Sequence, residues 1–98
     1  MGEEVRLRET LVEIGRKLEK KGLVAATDGN VSCRVEEDRL LITPSGCCKR
    51  ALEPSDLLLV DLQGKTLKGE GKPSSEIRMH LLVYKERPDV QAIVHAHP

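Results

Sequence analysis

His95 and His97 stand two residues apart, just after the apolar run Val90 to Val94. If that run is a β-strand, side chains alternate between faces, and the two imidazoles project to the same side about 6.5–7 Å apart at Cα. Their nitrogens can then converge on one metal ion, at about 2.0–2.1 Å each for zinc. Two histidines can equally cap a strand end or face solvent. A catalytic zinc ordinarily takes three protein ligands and keeps a position open for water or substrate, so the pair alone is an incomplete set.

Three turns have a composition suited to an anion. Gly29-Asn30, Ser45-Gly46 and Ser74-Ser75 each offer backbone N–H groups or hydroxyls, and the serine pair precedes a predicted helix. Unpaired N–H groups and the dipole at a helix start favour negative charge, so a phosphate is a natural guest. Each turn also has an ordinary reading, because Gly-Asn and Pro-Ser-Gly are common turn sequences and Ser-Ser before a helix is common capping. Glu76 follows the serines. As a carboxylate in a first helical turn it gains roughly a few tenths of a kcal/mol from the dipole. Beside a phosphate and facing a metal, it could instead move a proton at the carbon next to a carbonyl. His80, one turn later, reads as a partly buried core residue or a support for a neighbour rather than a ligand, and Lys72 and the other lysines need no special role, most of them reading as solvated.

These groups need elements to hold them. Leu7, Leu11, Ile14 and Leu18 recur at steps of four, three and four between Val5 and Lys21, the stripe of an amphipathic helix that Gly22 can cap. After the turn Thr27 to Asn30, the short segments Val31 to Val35 and Arg39 to Thr43 read as a hairpin around Glu36-Glu37-Asp38. Pro44-Ser45-Gly46 breaks the chain, Glu53 to Asp56 forms a turn or a single helical turn, and Leu57 to Leu62 is apolar enough for a buried strand. Gln63-Gly64 then turns the chain into Lys65 to Lys68. Ser74-Ser75 are N-cap candidates for a helix carrying Ile77, Leu81 and Tyr84, which ends at Arg87-Pro88-Asp89 before the final strand. This order predicts one α/β domain whose sheet is at least partly antiparallel.

Bulk properties narrow the function. The 98 residues carry 16 basic and 16 acidic side chains, with no long run of one sign, so no electrostatic footprint for nucleic acid or an anionic membrane is present. Tyr84 is the single aromatic residue, which leaves an aliphatic core and no stacking platform for bases. The charged N-terminus and the lack of a long apolar stretch predict a cytoplasmic protein. Cys33, Cys47 and Cys48 match no disulfide framework or metal-binding spacing and are expected to be reduced thiols.

Read together, Asp28-Gly-Asn-Val-Ser32, Leu41-Ile-Thr-Pro-Ser-Gly46, Gly71-Lys-Pro-Ser-Ser-Glu76 and Val94-His-Ala-His97 resemble the class II aldolase/adducin family, in order and interval, over residues 5–98. The L-fuculose-phosphate aldolase branch is the nearest likeness. The resemblance implies a class II aldolase-like fold, a mostly antiparallel sheet flanked by helices. It implies that Gly29, Asn30, Ser45, Gly46, Ser74 and Ser75 hold the substrate phosphate, that Glu76 shuttles the proton, and that His95 and His97 are two of three zinc-binding histidines. The implied reaction is reversible cleavage of a ketose 1-phosphate, such as L-fuculose 1-phosphate, to dihydroxyacetone phosphate and L-lactaldehyde. Family domains are about twice as long and place the third histidine after the His-x-His motif. The chain is therefore expected to be the N-terminal portion of one such domain, with weak or absent turnover alone. A homotetramer is implied for full-length relatives. Ribulose-phosphate 4-epimerase, methylthioribulose-phosphate dehydratase and a non-catalytic adducin-like head are the alternatives.

Overall fold

The computed structural model describes residues 2–24 and 29–96. The predicted stripe forms helix α1, Gly2–Lys20, which begins before Val5 and buries Leu11, Val12 and Gly15. Its end is closed by the predicted cap. Gly22 adopts φ +74°, and the Gly22 and Leu23 N–H groups donate back to the Glu19 and Leu18 carbonyls at 3.0 and 2.9 Å. That crossed pair is a Schellman motif, and its left-handed residue would be strained with a Cβ.

Five strands follow: β1 Asn30–Glu36, β2 Arg39–Ile42, β3 Leu58–Asp61, β4 Thr66–Lys68 and β5 Ala92–His95, with helix α2, Ile77–Glu86, before the last. They form one sheet in the order β4-β3-β2-β1-β5, and every neighbouring pair is antiparallel. The β1–β2 hairpin closes through Glu37-Asp38, with Glu36 opposite Arg39 and an irregularity after Arg34. At seven residues β1 is longer than expected. The predicted turn Thr27 to Asn30 lies partly outside the described residues, as do His97 and Pro98. No helix among the described residues is long and apolar enough to cross a membrane.

The sheet separates two apolar layers by the period of two. Val31, Cys33, Leu41 and Leu59 face Leu11 and Val12 of α1, whereas Leu40, Ile42, Leu58 and Val60 face Leu81 and Tyr84 of α2. Each fully buried leucine contributes about 1.5–3 kcal/mol. One row breaks this pattern: on β1 the positions facing α2 are Asn30, Ser32 and Arg34, and each meets α2 through hydrogen bonds. The strand is apolar toward one helix and polar toward the other.

Arg34 shows what a charge does there. Its guanidinium donates to the Val90 carbonyl at 3.1 Å, the Glu37 carbonyl at 2.7 Å and the Tyr84 carbonyl at 2.9 Å, and it lies 4.9 Å from the Tyr84 ring centroid. The planar fork thus ties the end of α2 and the lead into β5 to the sheet. A lysine carries its donors on a single nitrogen and cannot span the three carbonyls that Nε, Nη1 and Nη2 reach separately. Arg34→Lys is expected to lower the unfolding free energy by about 2 kcal/mol, read as a lower urea midpoint at unchanged slope. An unshifted midpoint would show that this clamp contributes nothing.

Candidate functional site

Thr43, directly after β2, is fully buried. Its hydroxyl accepts the Val31 N–H at 3.2 Å, its own N–H donates to the Val31 carbonyl at 3.1 Å, and its carbonyl accepts the Ser74 N–H at 3.1 Å. Next to it, Pro44 faces Pro73 in an antiparallel bridge. Proline has no N–H to give, so the flanking residues supply the bonds, with the Ser45 N–H donating to the Lys72 carbonyl at 2.8 Å. Asn30 precedes Val31, Ser45-Gly46 follow Pro44, and Ser74-Ser75 follow Pro73. The three anion-suited turns are thereby laced together around one threonine.

Donors at all three turns are left over. The Asn30 side-chain NH2, the Ser45 hydroxyl, the Gly46 N–H and the Ser75 N–H and hydroxyl make no hydrogen bond among the described residues. The Gly29-Asn30 turn is pressed against β5, where Asn30 pairs with His95. Gly29 has φ +82°, and a Cβ there would fall 2.6 Å from Val24 Cγ1 and 2.9 Å from the His95 carbonyl oxygen. Glycine is required by both the dihedral and the contact.

The start of α2 differs from the sequence expectation. The N-cap is Glu76, with no side-chain cap, and the helix begins at Ile77. Ser74 is held to Thr43 and cannot enter the helix; its hydroxyl instead accepts the Glu76 N–H at 3.3 Å and its carbonyl the Ile77 N–H at 3.0 Å. Glu76 therefore sits exposed at the helix mouth, one residue beyond Ser75.

Behind the turns lies a buried polar chain. His80 Nε2 is 2.5 Å from Asn30 Oδ1, His80 Nδ1 is 2.6 Å from Ser32 Oγ, and Ser32 Oγ is 2.7 Å from the Tyr84 hydroxyl. His80 is the supporting residue expected, and fully buried rather than partly so. Burial, reinforced by the nearby His95, pushes its pKa down to about 4. Burial also pushes the Tyr84 phenol up to about 12. Both groups are neutral at pH 7.

One lysine departs from the expectation that the lysines are mostly solvated and need no special role. Lys49 is 1% exposed, and its Nζ donates to the Gly29 carbonyl at 2.6 Å. Its stem runs beneath α1, where a Cβ on Gly15 would come within 3.2 Å of Lys49 Cγ. The three cysteines are free thiols. Burial raises Cys33 to about 11 and also raises Cys47, against the opposing Lys49 amine. Cys47 and Cys48 line an open groove of about 670 Å³ with Ser45, Asp56 and Glu70.

A metal fits this set only in part. His95 shares the sheet face of Asn30, by their pairing, and His97 lies outside the described residues. Among the described residues no three His, Cys, Asp or Glu side chains gather closely enough to hold an ion.

Known proteins share both the sequence pattern and the fold. The pattern of the Class II Aldolase and Adducin N-terminal domain matches residues 9–98. A 5-deoxy-D-ribulose 1-phosphate aldolase of Bacillus thuringiensis serovar kurstaki is 42% identical over 91 residues, 92% of this chain and 43% of that protein. A methylthioribulose-1-phosphate dehydratase of Methylococcus capsulatus is 43% identical over 87 residues, 89% of this chain and 42% of that protein. A solved L-fuculose 1-phosphate aldolase superposes with a TM-score of 0.85 at 40% identity, covering 92% of this chain and 43% of that one. The chain thus spans less than half the length of these relatives.

The buried histidine has a measurable consequence. Its folded pKa of about 4 lies below the ordinary 6.5, so between these values the unfolded chain binds the proton and the folded chain does not. Stability is therefore full above about pH 6.5 and falls as pH drops toward 4, by about 3 kcal/mol in total. Denaturant unfolding of wild type and His80→Gln across this range should show the extra acid loss in wild type alone. Parallel pH curves would contradict it.

Proposed function

Because the chain belongs to the class II aldolase and adducin N-terminal domain family, we propose that it forms the phosphate-binding and proton-transferring part of an enzyme acting on a ketose 1-phosphate. The observation that carries this reading is the gathering of uncommitted donors from three turns around Thr43. An anion held by N–H groups and hydroxyls from separate segments is fixed in orientation as well as position. The sugar carbons attached to it are then directed from a known anchor.

Glu76 is the proton carrier in this reading. It follows Ser75 directly and is open to solvent at the mouth of α2, so a phosphate seated on the serines places the first sugar carbons beside its carboxyl group. In the cleavage direction its acid form returns a proton to the carbon next to the carbonyl; in condensation the carboxylate removes it. Asn30, Ser45, Gly46, Ser74, Ser75 and Gly29 hold the phosphate during both. A zinc ion belongs to the reading, with His95 and His97 supplying two imidazoles and the ion polarising the substrate's carbonyl. Two imidazoles leave a third position to be filled, and the steps assigned here are those of the chain's own side chains.

Aldol cleavage of a ketose 1-phosphate is the preferred reaction, with L-fuculose 1-phosphate and 5-deoxyribulose 1-phosphate as candidate substrates. Dehydration of methylthioribulose 1-phosphate is the second reading, favoured by the 43% identity to such a dehydratase. Both use the same phosphate grip and the same proton position. Full-length protein containing this sequence, supplied with zinc, should release dihydroxyacetone phosphate from one of the first two substrates. Glu76→Gln should slow exchange of the donor-carbon proton of dihydroxyacetone phosphate with deuterated water by at least about 100-fold, with zinc content unchanged. Retained exchange would remove Glu76 from this role, and water loss without C–C cleavage would favour the dehydratase.

A further inference from the structure

We infer that His80 is a positioning residue: with Ser32 and Tyr84 it forms a one-way chain of hydrogen bonds that fixes the Asn30 amide with its oxygen inward and its NH2 free for an anion. The inference rests on Asn30 as a phosphate ligand, and it adds how the amide is oriented.

The direction follows from counting donors. Asn30 Oδ1 can only accept, so His80 Nε2 carries the hydrogen in that 2.5 Å contact. In a neutral imidazole Nδ1 is then a bare acceptor, which takes the Ser32 O–H at 2.6 Å. With its hydrogen spent, Ser32 Oγ accepts the Tyr84 O–H at 2.7 Å. Every hydrogen in the chain has an acceptor. Turning the Asn30 amide over would put the imidazole hydrogen on Nδ1, pointing at Ser32, and leave one hydroxyl hydrogen, that of Ser32 or that of Tyr84, buried without an acceptor among the described residues, since the two hydroxyls then have a single contact to share. A buried donor left unmade is costly. Tyr84, Ser32, His80 and Asn30 are all at least 96% buried by their exposures of 1, 0, 0 and 4%, so water does not offer an easy substitute.

The sequence supports the same geometry. Asn30 and Ser32 share a strand face by the period of two, and His80 and Tyr84 share a helix face at a spacing of four. Without the relay, the amide would present an oxygen to the incoming phosphate about as readily as its NH2. With it, the repelling orientation is excluded before the ligand arrives.

Two measurements test this. Imidazole nitrogen shifts of labelled wild-type protein report the tautomer directly, and calorimetric titration with inorganic phosphate reports affinity. Hydrogen on Nε2 of His80 is expected. The longer amide side chain in His80→Gln can still offer a donor to Asn30 Oδ1, whereas the shorter one in His80→Asn reaches only toward Ser32. Phosphate affinity should thus stay within about twofold of wild type in His80→Gln and fall about tenfold in His80→Asn. Hydrogen on Nδ1, or equal affinities for wild type and His80→Asn, would overturn the relay while leaving phosphate binding intact. Phosphate that binds without perturbing the Asn30 side-chain amide resonance would overturn the functional reading itself, and the purpose of the relay with it.

Discussion

The junction at Thr43 governs this structure. A fully buried threonine, bonded on one side to Val31 and on the other to Ser74, joins three turns that are remote in sequence. These bonds are withdrawn from water, and a buried polar group that loses its partner costs about 1–3 kcal/mol. The three segments are therefore held by a device that tolerates little change. The neighbouring prolines reinforce it, because two residues without N–H groups meet and the adjacent serines must supply the bridging bonds.

Around that junction, charge and polarity are arranged in layers. Donors without partners face outward at the turns, and the His80 chain supports Asn30 from the α2 side. Lys49 supports Gly29 from the α1 side, its amine on the backbone carbonyl at 2.6 Å. Extracting an amine from water is costly, and the space left by Gly15 under α1 is what makes the route passable. The Gly29 turn lies against the backbone of His95, so the strand bearing the proposed metal ligand and the proposed phosphate turn are in direct contact.

The elements were largely legible in the sequence because each is set by local pattern. The leucine stripe of α1, the Gly22 cap and the apolar run Leu40 to Ile42 need no distant information. The motifs at Asn30, Ser45 and Ser74 were legible as turns, and their meeting was legible only through the family resemblance, because proximity comes from the strand order rather than from any one segment. Ser32, Thr43 and Lys49 escaped for a related reason. Ser32 bonds partners 48 and 52 positions away, and nothing in its own neighbourhood separates it from a solvent-facing serine. Lys49 sits in a polar stretch where burial is unexpected. The start of α2 was placed early because capping propensity favours Ser74 and Ser75, and the tether from Ser74 to Thr43 overrides that local preference.

The central claim is that three separate turns make one anion site. Titrating isotope-labelled protein with inorganic phosphate, while following backbone amide resonances, tests it most directly. The account predicts that Gly29, Gly46 and Ser75 shift together and fit a single dissociation constant. Movement confined to one turn, or different constants at different turns, would contradict it.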